Sequence, residues 1–385
     1  MKKNTEKKTS CREARGSAEN TEHLPRAIFP VGECYFAAAN GYDGFRSSFG
    51  SVFRSEDHTR IYVLKGGPGT GKSTFLKKCA EYGEQIGVRT LRIHCSSDPA
   101  SLDGVIFLPR GKRRIALLDG TAPHERDAVI AGAVDRLIDL GAYRDDDALL
   151  ARRAEILRLD TEKKAEYKKA YDALNISGLF ARKVHTEIRS RIPQNAARAY
   201  AEDLLLRICG ESGEKVRRSA HALPDGLLLD AFGKDGHIRI ESQESGERRF
   251  DLCGREAAAH TVIACLLRLC EDRGIGCYAF RSAFDEASID AIRIPVANAI
   301  VRVNGEGGEP VEADGTMREK GLLKDAELAL LEEEAARFSA LARHYFAHAS
   351  EKHFAIEKIY SAAMDFDGVA RETQRMIQSI EKEIC

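Results

Sequence analysis

The chain has 385 residues, enough at roughly 150 residues per domain for two or three separate cores. Lys and Arg number 59 against 60 Asp and Glu, and a formal net charge of −1 argues against nucleic acid as the main partner. No run approaches the roughly 18 apolar residues of a membrane span, and the polar N-terminus lacks a signal-peptide core, so a cytoplasmic protein without membrane contact is expected.

The ten cysteines are scattered without a C-x-x-C pair and several lie in apolar runs, so they read as buried thiols. Residues 1–25 are polar and read as a disordered tail. An aromatic, Gly-dotted segment follows from Cys34 to Phe45, in which Asn40 or Tyr42 either frames a nucleotide base or packs against a sheet.

The strand-like run Ile61–Lys65 leads into Gly66, Gly67, Pro68, Gly69, Thr70, Gly71, Lys72, Ser73 and Thr74, a G-x-x-x-x-G-K-S sequence of the Walker A type. Each residue type has a physical reason. Glycines let backbone N–H groups turn inward around phosphate oxygens without Cβ clashes. Lys72 is placed to bridge the β- and γ-phosphates and Ser73 to offer its hydroxyl to Mg²⁺. The helix that opens there, expected to run to about Gly83, points its positive end at the anion.

A second apolar run, Val88–Cys95, and a third, Ile115–Leu118, complete a small set of buried strands. Asp119 at the end of the third has the position of a Walker B carboxylate that holds Mg²⁺; the plainer reading makes Asp119-Gly120 a turn. Gly120 stands where many motor-type ATPases place a water-activating Glu, so hydrolysis is expected to be slow. His124, just beyond the strand, reads either as a γ-phosphate sensor or proton-transfer group or as the start of a helix. Arg110, Lys112, Arg113 and Arg114 form a basic cluster, read as a solvated loop or as a source of a phosphate-neutralising arginine.

From 124 to 215 the pattern is helical, with Ala148–Ala173 and Leu179–Ile208 separated by a turn at Asn175–Gly178 and by Pro193. The charged faces are solvated surfaces or, alternatively, a docking site for a protein partner. Helices return from about 320 to 384.

The chain also repeats itself. Gly254 falls 188 residues after Gly66, which sets Ala259 on Gly71, His260 on Lys72 and Thr261 on Ser73. Asp285, Ser288 and Asp290 each follow Asp98, Ser101 and Asp103 by 187 residues, and the strand Ala299–Val303 matches the third strand with Asn304 on Asp119. Residues kept where the ammonium has been lost, such as Asp98, Ser101 and Asp103, read as braces of a loop. Lys72, Asp119 and His124 read as the chemistry. The second copy is expected to bind little or no Mg·NTP, because Ala259 crowds the loop and an imidazole replaces the ammonium.

The motifs Gly66–Thr74, Cys95–Gly104 and Leu118–His124 together resemble a poorly characterised family of bacterial tandem P-loop ATPase-like proteins, over most of the chain after about residue 26. Both halves of that family usually carry an intact Gly-Lys-Ser/Thr loop, and Ala259 and His260 depart from it. The resemblance implies nucleotide binding and names no substrate.

The expected fold is therefore α/β: two tandem parallel-sheet P-loop-like units, an active one at 26–215 with a helical appendage at about 124–215, and a degenerate one at 216–385. The expected function is Mg²⁺-dependent binding of ATP or GTP with slow hydrolysis, acting as a switch. A small-molecule phosphotransferase and a non-hydrolysing, nucleotide-dependent scaffold are the alternatives.

Overall fold

A computed structural model describes residues 33–210, 223–240, 246–316 and 323–384. The tail at 1–25 lies outside the described residues. In chain order the strands are β1 (Glu33–Phe36), β2 (Ala38–Gly41), β3 (Gly44–Ser47), β4 (His58–Lys65), β5 (Arg89–His94), β6 (Leu102–Leu108), β7 (Arg114–Asp119) and β8 (Asp135–Asp139). They continue as β9 (Asp230–Gly233), β10 (Gly236–Arg239), β11 (Arg248–Cys253), β12 (Tyr278–Arg281), β13 (Ile289–Ile294), β14 (Ala299–Val303) and β15 (Glu309–Glu312). The main helices are α1 (Lys72–Gln85), α2 (Arg153–Ser190), α3 (Gln194–Cys209), α4 (Glu256–Arg273), α5 (Asp325–Ser361) and α6 (Phe366–Ile384).

Two compact units emerge, and they are not the consecutive halves expected from a division near residue 215. One, the Lys72 unit, gathers the described residues up to 172, then 223–240 and 341–384. The other, the His260 unit, gathers 173–210 and the described residues from 246 to 340. The division falls within α2 and within α5. Nothing in local composition marks either place, because a continuous helix carries the chain through it.

The Lys72 unit is built on a six-stranded sheet in the order β1-β5-β6-β7-β4-β8. β7, β4 and β8 are parallel, as are β1 and β5, but β6 runs antiparallel to both its neighbours. The sheet is thus mixed rather than purely parallel. Residues 95–101 and 109–113 are too few for the crossover of a dozen or more residues that a parallel step needs, so β6 can only turn back. Phe75, Leu76, Cys79 and Ala80 of α1 pack on Tyr62, Leu64, Val105 and Leu117, and α6 adds Val369, Met376 and Ile380 to this core. Each large side chain so buried contributes about 1.5–3 kcal/mol.

The His260 unit has a five-stranded sheet in the order β12-β13-β14-β11-β15, with β14, β11 and β15 parallel and β12 and β13 antiparallel. This is the order β5-β6-β7-β4-β8 over again. The likeness reaches single residues. A register shift between Ile93 and His94 recurs between Phe280 and Arg281, 187 residues on. Ser101 N donates to Asp98 O at 2.8 Å and Cys95 N to Ser101 O at 3.0 Å; Ser288 N donates to Asp285 O at 2.9 Å and Ser282 N to Ser288 O at 3.0 Å.

One correspondence read from sequence shifts by a residue. Leu64 pairs with Asp119, whereas Leu252 pairs with Val303, so Val303 and not Asn304 has the place of Asp119. Asn304 matches Gly120: each donates its N–H to the parallel neighbouring strand, at 2.8 Å to Leu252 O and 3.0 Å to Leu64 O.

The helical reading also changes. α2 runs unbroken through Asn175–Gly178, because a single Gly in a long amphipathic helix costs only about 1 kcal/mol. Pro193 does end it, as the residue before α3. Residues 120–134, expected to begin a helix at His124, form turns and extended chain. Cys34, Cys79, Cys265 and Cys270 are buried thiols as expected, Cys95, Cys209 and Cys277 are thiols only half-buried, and Cys253 is disulfide-bonded. Among the described residues no helix is long and apolar enough to cross a membrane.

Candidate functional site

In the Lys72 unit, Gly66, Gly67, Pro68, Gly69, Thr70 and Gly71 form the loop between β4 and α1, and Lys72, Ser73 and Thr74 are the first residues of α1. Gly66, Gly69 and Gly71 have φ of +146°, +69° and +88°, so the loop has a shape that L side chains rarely adopt. Thr70 is buried, and its Oγ1 closes the loop by donating to Gly67 O at 2.9 Å.

Lys72 folds back inside the loop. Its Nζ donates to Gly66 O at 3.2 Å and to Gly67 O at 2.8 Å, and it lies 3.6 Å from Asp119 Oδ2. The pairing of Leu64 with Asp119 explains the meeting, since neighbouring parallel strands bring the loop and the carboxylate to the same sheet edge. Asp119 Oδ1 accepts from Thr121 N at 2.9 Å and from Thr121 Oγ1 at 2.6 Å. The turn reading of Asp119 holds, since one oxygen caps the turn, while the other faces the ammonium. Ser73 Oγ accepts from Leu102 N at 3.0 Å, which fixes the hydroxyl at the start of β6.

Gly120 has a steric reason. A Cβ there would meet Val63 Cγ1 at 2.3 Å and Arg126 O at 2.8 Å, so no glutamate fits without rebuilding the turn.

His124 is buried. Its ring stacks on Phe49, with centroids 4.3 Å apart and planes at 7°, and its Nε2 lies 3.2 Å from Asp103 Oδ2. Burial opposes the imidazolium, but the Asp103 hydrogen bond and the fields of Asp103 and Asp119 outweigh it and raise the pKa. Asp103, read from sequence as a brace, is therefore the partner of a histidine. Asp98 and Ser101 do brace their loop, with Ser101 Oγ donating to Asp98 Oδ2 at 2.8 Å.

The basic cluster lies elsewhere. Arg110–Arg114 precede and open β7, at the opposite end of the strand from Asp119. Lys112 donates to Ile384 O at 2.8 Å. Asn40 packs rather than framing a base: it is fully buried, donates to Phe232 O at 2.7 Å and accepts from Tyr171 Oη at 2.8 Å.

Sequence reasoning missed the C-terminal residues that close over the loop. A Cβ on Gly67 would meet Tyr360 Cε1 at 2.8 Å, and one on Gly69 would meet Glu357 O at 2.4 Å and Ser361 Oγ at 2.8 Å. Ser361 Oγ donates to Gly69 O at 3.0 Å. The Glu357 carboxyl is held below its usual range, first by His353 at 3.5 Å and then, against partial burial, by the Gly69 amide and Lys72. No local signal marks these residues, which lie some 290 positions after the loop.

In the His260 unit the corresponding loop does not exist. Gly254 keeps a positive φ of +118°, but α4 begins at Glu256, so Glu256, Ala257, Ala258 and Ala259 are helical where Pro68, Gly69, Thr70 and Gly71 are loop. The expected crowding by Ala259 gives way to a different cause: three successive alanines, the strongest helix formers, wind the cradle up. Comparison with protein-family models, with curated proteins and with solved structures finds no match for this chain.

Proposed function

We propose that the Lys72 unit binds ATP or GTP with Mg²⁺ at residues 66–74 and hydrolyses it slowly, as a switch. The observation that carries this reading is the ammonium of Lys72 held within a positive-φ glycine loop, 3.6 Å from the Asp119 carboxylate. On this reading the loop amides and the N-terminus of α1 take the phosphates, and Lys72 leaves the loop carbonyls for a phosphate oxygen. Ser73 and Asp119 hold the Mg²⁺, which neutralises phosphate charge when bound. Crowding at Gly120 keeps a glutamate out of that position, which supports slow turnover.

The closing residues supply the switch. Glu357 sits in the field of Lys72 and of the Gly69 amide, so a nucleotide phosphate competes with this carboxylate for the same donors. Loss of Glu357 from the loop would free the last turn of α5 to shift, which is the nucleotide-dependent event that a protein partner would read. The test is equilibrium binding of fluorescent ATP and GTP analogues, with phosphate release measured alongside. The reading predicts saturable binding that Lys72→Ala abolishes. Equal binding by wild type and Lys72→Ala overturns it, and acceleration by a small-molecule acceptor would instead favour a phosphotransferase.

A further inference from the structure

In the His260 unit a histidine stands at the position of Lys72, and two more ligating side chains converge on it. Glu256 lies one turn earlier on α4, with Oε1 3.9 Å from His260 Nε2. Its other oxygen is 3.8 Å from Nε2 of His185 on α2. The two imidazoles meet edge to face with centroids 5.6 Å apart. One donor atom from each of the three residues lies within 4.8 Å of the other two. A tetrahedral ion with bonds of about 2.0–2.2 Å holds neighbouring donors roughly 3.4 Å apart, so small side-chain rotations bring this set to coordination distance.

We propose that His185, Glu256 and His260 bind a divalent transition-metal ion of the zinc class. Two imidazoles and one carboxylate suit such an ion and not Mg²⁺, which takes hard oxygen donors. Asp290, buried, has its Oδ1 2.9 Å from His260 Nε2. The ion takes the place of the hydrogen on Nε2 in this contact: a protonated ring releases that proton to solvent, a neutral ring carries its single N–H on Nδ1, and Asp290 stays as a second carboxylate beside the metal. That charge matters, because the positive end of α4 otherwise opposes a cation at its first turn. Glu256 is exposed and His185 half-buried, which gives the ion a path from solvent. The unit that lost the phosphate cradle has thus acquired nitrogen ligands where the ammonium would be.

The experiment is a titration of the full-length protein with Co²⁺, followed by its visible absorption, then displacement by Zn²⁺. The result expected is one saturable site with ligand-field bands, no thiolate charge-transfer band despite the cysteines, and no competition from Mg²⁺. His185→Ala and Glu256→Gln, both away from the core, should each weaken it roughly tenfold or more with the metal-free melting temperature unchanged. No saturable binding, a thiolate charge-transfer band, or undiminished binding by both variants would overturn the proposal.

Discussion

Lys72, the first residue of α1, and Asp119, the last of β7, meet at 3.6 Å with their side chains 10 % and 15 % exposed. In an ion pair this sheltered the ammonium, also bonded to two loop carbonyls, is held inside the loop beside the carboxylate. Asp119→Asn should therefore keep nucleotide binding and lose its Mg²⁺ dependence, while Lys72→Ala loses binding altogether. Melting temperatures with nucleotide, in the presence and absence of Mg²⁺, separate the two variants.

Glu357→Gln should strengthen nucleotide binding, since it removes an anion that competes for the Gly69 amide and Lys72. His353 foremost, and then the Gly69 amide and Lys72, hold the Glu357 pKa down, which stabilises the fold above the ordinary carboxylate range; that stability is lost as pH falls through the lowered value. Isothermal titration of both proteins checks the first point; weaker binding by Glu357→Gln would contradict it.

Gly69→Ala tests the close approach directly. The left-handed φ of +69° and the Glu357 carbonyl 2.4 Å from the new Cβ should together cost about 1–3 kcal/mol or more, read as a lower denaturation midpoint. An unchanged midpoint would mean that α5 does not lie on the loop.

Acid should destabilise the Lys72 unit before its carboxylates titrate. Burial lowers His58 and His94 from 6.5 to about 4, so both stay neutral in the fold while the unfolded chain takes up protons. Stability then falls as pH drops from about 6.5 to about 4, by about 3 kcal/mol per group at most. His58→Gln should flatten that slope in urea titrations across the same interval; an unaltered slope would contradict the assignment.

The repeat makes a further prediction at the centre of the His260 sheet. Asp251 and Arg302 are buried at 4 % and 1 % exposure and bonded at 2.8 Å, where the first sheet has Val63 and Leu118. Arg302→Leu alone leaves the buried carboxylate without its counter-charge, with Gly308 N still donating to it at 2.6 Å, and should cost about 3–5 kcal/mol. The double change Asp251→Val with Arg302→Leu should cost less than that single change, measured by chemical denaturation. A larger loss in the double variant would show that the pair is worth more than an apolar core.

Local structure was readable from residues alone: the glycine loop with its lysine at the helix start, the apolar strand ending in Asp119, and the repeat that placed Ser288 and Asp290. What was not readable depended on partners distant in sequence. Val303 replaces Asp119 because of strand pairing, which a one-residue slip in alignment hides. The winding of residues 256–259 into α4 was visible only as a run of alanines. The cover of Glu357, Tyr360 and Ser361 over the loop had no local mark, since an amphipathic helix does not announce which surface it meets.

The most direct test of the central claim is a thermal-shift panel of nucleotides against wild type and Lys72→Ala. ATP or GTP at 100 times its dissociation constant should add about 2.7 kcal/mol of apparent stability to the wild type. That gain should require the triphosphate, grow with Mg²⁺ and vanish in the variant. No stabilisation by any nucleotide, or the same stabilisation in both proteins, would contradict it.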